Sequence, residues 1–532
     1  MISEPVPFDI LHRIFDDFVG EDEQQLFSLS WTRLLLVCRQ WHAIGLLSPR
    51  LWSYISFEPT LSVSEVPSSE GFADIEEDVR RVRTQLARAG TWPLTIRYKP
   101  LPWTYPNYFQ ELGSSLFWNP EAVQCLSVRG DYLRLNETIQ EICRHVHPRM
   151  HTLELQHRKS ELNMANIIAL SELLAQKLPS LQDLVLRDVR CDWSCIQNLR
   201  SLKLSYAVLM PQPYHLQDIV TALRRCPDLE ELHLGLPFWR SSGDSEPIPE
   251  PLPLPHLHDL ILRGPVHICA PLFLSIETLA RGATINISFN GVHPRDERNL
   301  ERVESRIGEH LRRPNASSIW CLTWGNSAVD GRIAVARTRG PGNINSSADP
   351  DIHFHASTKR PPLGLSNCLA SWPLDNVTHL DMRSISICAS GVWRVLLASL
   401  PALHTIAIRV ERSPIEELLL VSLERLAQGH HPVANLYFDA SELLMSNAYH
   451  ALRDERKDSC TKTLERLLIY CAKAEEAGAP LEEVNLVDPH CHLIPEDVAW
   501  RHYCRSLVAG FRYNGVMHCR LMRGSLDRLS EV

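Results

Sequence analysis

A short leucine motif, L-x-x-L-x-L, recurs along most of this chain and constrains its fold more than any other feature. The last two apolar positions of each copy alternate with one other residue, which is typical of a β-strand with one buried face. The clearest copies begin at Leu181, Leu199, Leu229, Leu257, Leu403 and Leu481. Degenerate copies begin at Val123, Met150, Ile319, Val377 and Val433, and Leu94-Thr95-Ile96 is predicted to form the first strand. The chain is therefore predicted to contain a long series of similar strands.

Helical patterns lie between many of these motifs. Ile75, Val79, Val82 and Leu86 share one face of a predicted helix that would end at Gly90. Several motifs start about 26–31 residues apart, close to the upper range for leucine-rich repeats. The pattern resembles an irregular leucine-rich-repeat solenoid, an α/β fold with a curved parallel sheet inside and helices outside. A generic α/β domain with leucine-rich strands is the alternative.

Three stretches interrupt the repeats. Residues 58–71 are rich in Ser, Pro and Glu and are predicted to be a linker. Residues 240–255 are rich in proline, and residues 325–364 are rich in Gly, Asn, Ser and Pro. Both are predicted to be loop insertions in a solenoid that spans residues 72–532.

The first 57 residues carry a different pattern, with apolar side chains at helical spacing in three short segments. The first segment runs from Ile10 to Phe18, the second runs from Leu34 to Ile44, and the third starts at Ser48-Pro49. Three short helices cannot bury this much apolar surface among themselves. A small all-α module is therefore predicted at residues 1–57, and it needs either the rest of the chain or a partner.

This segment resembles an F-box, because Val6-Pro7, a Val-Cys-Arg-x-Trp run at 37–41 and Leu51-Trp52 occur together and in order. The match covers about a tenth of the chain. One departure is an acidic stretch at 20–25, which is predicted to lengthen the loop after the first helix. An ordinary helical cap at the N-terminus is the alternative.

The resemblance implies a protein that docks on the Skp-family adaptor of a cullin-RING ubiquitin ligase and holds a target protein for ubiquitination. The implied adaptor-binding residues are Pro7, Ile10, Leu11, Ile14, Phe15, Val37, Cys38, Trp41, Leu51 and Trp52. Among them, Pro7 and Leu11 are predicted to be the main contacts, whereas Trp41 and Trp52 are predicted to lie in the core. A scaffold that binds the adaptor or other partners without ligase function is the alternative.

Arginine follows the second apolar position in about half of the predicted strands. These arginines are Arg97, Arg129, Arg187, Arg263, Arg383 and Arg409. Lys and Arg together make up 54 of 532 residues, so chance predicts about one such coincidence. If the strands are in register, the side chains form a basic ladder that suits an acidic or phosphorylated segment of the target. Alternatively, they are solvated and paired with acidic neighbours.

Composition excludes several classes of function. The net charge of −9 disfavours non-specific binding to nucleic acid or to anionic membranes. Neither an export signal nor an apolar run of about 18 residues is present, so we expect a cytoplasmic or nuclear protein. No catalytic motif stands out, and the Asp488-to-His492 cluster lacks the partner spacing of a zinc site. We therefore predict a non-enzyme without a metal or cofactor.

Overall fold

The structure is a computed structural model, and it describes residues 7–20, 23–57, 69–99, 120–157, 165–166, 168–206, 215–236, 250–280, 283–292, 296–313, 319–326, 331–337, 352–358, 372–382, 392–409, 415–428, 433–439, 470, 472–476, 478, 481–487, 510–513 and 516–520. The chain divides into two compact units. The first comprises residues 1–239 and 251–257, and the second comprises residues 240–250 and 258–532. Each unit is described separately below.

The first unit begins with short helices. These are α1 (Phe8–Gly20), α2 (Glu23–Phe27), a 3₁₀ helix (Ser30–Leu36), α3 (Arg39–Leu47) and α4 (Pro49–Trp52). Pro49 opens α4, where its fixed φ suits the first turn of a helix. The first strand, β1 (Tyr54–Phe57), then starts inside the segment that was predicted to be wholly helical.

Seven parallel strands form the sheet of the first unit. After β1 they are β2 (Leu94–Tyr98), β3 (Val123–Gly130), β4 (Thr152–His157), β6 (Asp183–Arg187), β8 (Ser201–Ser205) and β9 (Glu231–Gly235). Each strand pairs with the next in the order β1-β2-β3-β4-β6-β8-β9. Two short strands, β5 (Ala165–Asn166) and β7 (Val189–Arg190), pair separately.

The repeated leucines explain this register. Leu126 lies beside Leu153, Leu153 beside Leu184, and the row continues through Leu202 and Leu232. All five are at most 1% exposed, because every second residue of each strand points into the core. The prediction of parallel strands with one buried face is therefore confirmed.

Helices connect the strands of the first unit. They are α5 (Ser69–Ala89), α6 (Tyr132–Ile142), α7 (Ile168–Glu172) with a π-helical turn (Leu173–Lys177), a 3₁₀ turn (Trp193–Cys195) and α8 (Leu216–Arg224). Helix α5 ends where predicted, because Gly90 takes a φ of +59° and donates its N–H to Leu86 O at 3.1 Å. Residues 69–71 of the predicted linker belong to α5, and residues 58–68 lie outside the described residues.

The second unit continues with strands and helices. Its helices are α9 (Val266–Ser275), α10 (Glu297–Leu311), α11 (Val392–Ala398) and α12 (Ile415–Ala427). Its strands are β10 (Asp259–Gly264), β11 (Thr284–Val292), β12 (Ile319–Asn326), β13 (Gly331–Arg337), β14 (Ile352–Thr358), β15 (His379–Met382), β16 (Thr405–Arg409), β17 (Asn435–Asp439), β18 (Glu483–Val487), β19 (Gly510–Tyr513) and β20 (Val516–Arg520).

These strands pair in the order β10-β11-β14-β13-β12-β15-β16-β17-β18-β19-β20. Most neighbours are parallel, but β13 runs antiparallel to both β14 and β12, and β20 runs antiparallel to β19. The predicted loop insertion at 325–364 is therefore wrong in part, since β13 and β14 belong to the sheet. The other predicted insertion, 240–255, lies outside the described residues up to residue 249.

Buried or partly buried arginine side chains join neighbouring repeats on the helical side. In four cases a guanidinium donates to a backbone carbonyl 25–32 residues earlier in the chain. The pairs are Arg81 with Ser56 (2.7 Å), Arg225 with Trp193 (2.6 Å), Arg306 with Glu277 (2.6 Å) and Arg425 with Leu397 (2.9 Å). This separation matches the spacing of the leucine motifs, so each arginine satisfies carbonyl groups of the preceding repeat.

Candidate functional site

The N-terminal helices enclose an aromatic core around Trp31. Its ring centroid lies 4.8 Å from that of Trp52 and 6.3 Å from that of Phe15, and both contacts are edge-to-face. Phe15 also packs against Trp41 at 5.6 Å. The Trp52 indole donates to Gly45 O at 2.9 Å. These contacts join α1, the 3₁₀ helix, α3 and α4 around one core.

Several of the residues predicted to bind the adaptor lie in this core. Leu11, Phe15, Leu51 and Trp52 are at most 4% exposed, and Trp41 is half-buried. Leu11 was predicted to be a main adaptor contact, but it has no accessible surface because it lies one helical turn from Phe15 on the buried face. An incoming protein therefore cannot touch Leu11 without opening the helices.

Other residues of the predicted set lie on the surface. Pro7 and Cys38 are exposed, and the exposed fractions of Ile10, Ile14 and Val37 are 47%, 36% and 59%. Two large apolar residues outside the predicted set are also exposed, Leu36 at 85% and Leu47 at 75%. Ile10 and Ile14 are one turn apart on α1, so they form an apolar stripe beside the buried one. We call Ile10, Ile14, Leu36, Val37 and Leu47 the exposed apolar set.

Helix α2 connects the N-terminal helices to the sheet. The Phe27 ring packs edge-to-face on Tyr54 of β1, with 5.4 Å between centroids. The Arg97 guanidinium of β2 lies 3.7 Å from the Phe27 ring centre and donates to Gln24 Oε1 at 2.6 Å. Arg97, predicted to contact a target, therefore holds α2 against the polar face of the first two strands.

The register also separates Arg97 from the other arginines. Arg97 lies beside Ser127, and that row continues through Glu154. Arg129 belongs to the next row, where it lies beside Gln156, which in turn lies beside Arg187. The predicted ladder is therefore wrong at β2, because Tyr98, which is 1% exposed, takes the last buried position that was assigned to Ile96.

In the second unit, Arg263 on β10 is exposed. Arg409 ends β16 and lies beside Asp439 of β17 in the backbone register. Arg383 lies outside the described residues. Arg263, Arg383 and Arg409 therefore stay a predicted set of target-binding residues.

Three of the described cysteines have thiols that burial makes poor nucleophiles. Burial raises the pKa of Cys143 to about 11 and the pKa of Cys191 and Cys269 to about 12, so these thiols stay protonated at neutral pH. Within the described part of the chain, no three His, Cys, Asp or Glu side chains are grouped as a metal site would need. The Asp488-to-His492 cluster lies outside that part.

Among the described residues, no helix is both long enough and apolar enough to cross a bilayer. Comparison with protein-family models found no match to this chain. A search of curated proteins found no match either.

Proposed function

We propose that this chain is the substrate-recognition subunit of a cullin-RING ubiquitin ligase. Its N-terminal helices act as an F-box that binds a Skp-family adaptor, and the repeats behind them form a leucine-rich-repeat-like solenoid that binds a target protein. The chain contributes no side-chain chemistry of its own. It raises the effective concentration of target lysines near the ubiquitin-charged enzyme.

The exposed apolar set carries this proposal. The ring contacts around Trp31 involve none of these five residues, which present large apolar side chains to water. Exposed apolar side chains grouped within one short segment are typical of an interaction surface. Two of them lie at the Val-Cys-Arg-x-Trp run that carries the F-box resemblance, Leu36 directly before it and Val37 as its first residue.

Two observations support the solenoid. The leucines of five consecutive strands form one aligned buried row in the first unit. In addition, arginine side chains in both units satisfy carbonyl groups one repeat earlier in the chain. Regular contact between each repeat and its neighbour is the defining property of solenoid proteins.

A second candidate function is a scaffold in which the N-terminal helices only cover the start of the sheet. The packing of Phe27 on Tyr54 and Arg97 favours it. These contacts place α2 over β1 and β2, which pair with each other in the sheet. Terminal repeats of solenoids need such caps. Covering the sheet and binding the adaptor use different residues, so one segment can do both.

Charge on the α1 stripe tests the proposed adaptor site. We expect the double substitution Ile10→Asp and Ile14→Asp to weaken binding to a purified Skp-family adaptor by about 100-fold, because two carboxylates would be buried without partners. The change should leave the thermal unfolding temperature nearly unaltered, since both side chains are exposed. Affinity is measured by titration calorimetry, and folding by circular dichroism.

Leu133→Asp is the matched control, since Leu133 is also an exposed apolar residue on a helix of the first unit, at 64%. This variant should bind the adaptor as well as the wild type does. Equal adaptor affinity of the wild type and the Ile10/Ile14 double variant would exclude the α1 stripe as the docking surface. Adaptor binding without recruitment of a cullin would favour the scaffold.

A further inference from the structure

The polar face of the first sheet carries its charges in rows that cross the strands. At the carboxyl ends of the strands, one row contains Arg129, Gln156 and Arg187, on β3, β4 and β6. We call these three residues the anion row. They contain two cations, one amide and no carboxylate, and Arg129 and Arg187 are exposed.

We propose that the anion row binds an extended peptide segment that presents two anionic side chains, either carboxylates or phosphates, about three residues apart. This inference names the target class of the receptor and therefore rests on the proposed function for its biological role. The binding itself needs no adaptor.

The charges of this row are only weakly compensated by their described neighbours. None of the described residues forms an ion pair with Arg129. Arg187 meets Glu154 at 3.5 Å, but its side chain is 51% exposed, so water and salt screen the pair. An incoming phosphate or carboxylate can therefore accept bidentate hydrogen bonds from these guanidinium groups. Little existing ion-pair energy is given up, because the Arg187–Glu154 pair is exposed to water.

Two neighbouring cations of the same face, Arg97 and Lys203, already have partners, so the proposed site does not extend to them. Arg97 lies against Phe27 and Gln24 of α2. Lys203 of β8 pairs with Glu231 at 2.7 Å, and the same carboxylate accepts from Ser201 at 2.9 Å. The side-chain hydrogen bond from Lys203 lowers the pKa of Glu231 and keeps the pair charged. Among the described residues of this face, the cations with the weakest compensation are therefore Arg129 on β3 and Arg187 on β6.

The strand spacing fixes the distance between the anions. Arg129 and Arg187 are two strands apart, and neighbouring strands lie about 4.8 Å from each other, so their backbones are about 10 Å apart. In a β-strand, side chains i and i+3 point to opposite sides, but an extended peptide in the polyproline II conformation has three residues per turn and advances about 3.1 Å per residue. Its side chains i and i+3 therefore lie on one side, about 9 Å apart. A peptide that crosses the strands would therefore place residues i and i+3 over the two arginines, with Gln156 between them.

The test uses the full-length chain and fluorescent ten-residue peptides in a Gly/Ser background. Each peptide carries two phosphoserines or two aspartates at spacings from i,i+1 to i,i+6. We expect tightest binding at i,i+3, measured by fluorescence anisotropy at low salt. Arg129→Glu and Arg187→Glu should each lower the affinity for the peptide at least tenfold. Comparison of the phosphoserine peptides with the aspartate peptides shows which anionic group the site prefers.

Arg200→Glu is the control, because Arg200 is equally exposed but lies at the amino ends of the strands, where it pairs with Glu230 at 2.9 Å. It should alter affinity less than twofold. The proposal is overturned if no peptide binds, if Arg129→Glu leaves affinity unchanged, or if a single-stranded oligonucleotide of equal charge binds more tightly. These outcomes leave adaptor binding untouched, so failure here is separable from failure of the ligase assignment.

Discussion

Replacing Trp31 with alanine is expected to lower the free energy of unfolding of the N-terminal helices by about 3–5 kcal/mol. Trp31 has no accessible surface and packs edge-to-face with both Phe15 and Trp52. Removing the indole leaves a cavity at the point where three helical segments meet. Hydrogen exchange of residues 8–52 should report the loss, because amides of these helices will exchange at lower free energy.

Two further variants separate packing from polarity. The Trp31 Nε1 makes no hydrogen bond to the described residues, and an unpartnered buried donor is itself unfavourable. Trp31→Phe should therefore change stability by no more than about 1 kcal/mol, since the lost contacts are offset by removal of that donor. Trp92→Ala, at a tryptophan that is 45% exposed, should change it by less. Equal effects of Trp31→Ala and Trp92→Ala would contradict the aromatic core described above.

Arg425→Ala is expected to destabilise the second unit by about 3 kcal/mol. Arg425 is 5% exposed and donates to Leu397 O at 2.9 Å, Leu400 O at 2.5 Å and Pro401 O at 2.6 Å. Without the guanidinium, the carbonyl groups at the end of α11 lose their donors in a buried setting. Urea unfolding, followed by fluorescence, measures the change.

Arg394→Ala is the matched control, since Arg394 lies on α11 and meets Glu424 at 3.1 Å but its side chain is 68% exposed. An exposed ion pair contributes about 0–1 kcal/mol. Arg425→Lys should behave like Arg425→Ala, because one ammonium cannot reach all three carbonyls. If Arg425→Ala were no more harmful than Arg394→Ala, the hydrogen bonds of Arg425 would not stabilise the contact between repeats.

The leucine motifs predicted the strands well because one buried face requires alternation, and alternation is visible in the sequence. The sequence pattern does not determine which apolar stripe of α1 is buried. Ile10 and Ile14 form one apolar stripe, and Leu11 and Phe15 form another, so the helical periodicity allows either stripe to be buried. Packing against Trp31 and Trp41 decides between them, and it depends on contacts distant in sequence.

Two other differences between the predicted and the observed strands have local causes. Tyr98 is buried at the end of β2, but the predicted strand ended its buried positions at Ile96, and this placed Arg97 in the wrong row. In the region rich in Gly and Asn, strand β14 alternates apolar and polar residues from Ile352 to His355, whereas β13 is apolar from Ile333 to Ala336. That alternation was the signal for a strand, and the surrounding loop-forming composition hid it.

The ligase assignment depends on adaptor binding, so assembly of the complex tests it most directly. Full-length chain is mixed with a purified Skp-family adaptor and then with a cullin, and the mass of the eluted species is measured by light scattering during size-exclusion chromatography. The account predicts one species that contains one copy of each protein. Elution of the chain alone, with the adaptor and cullin eluting separately, would contradict it.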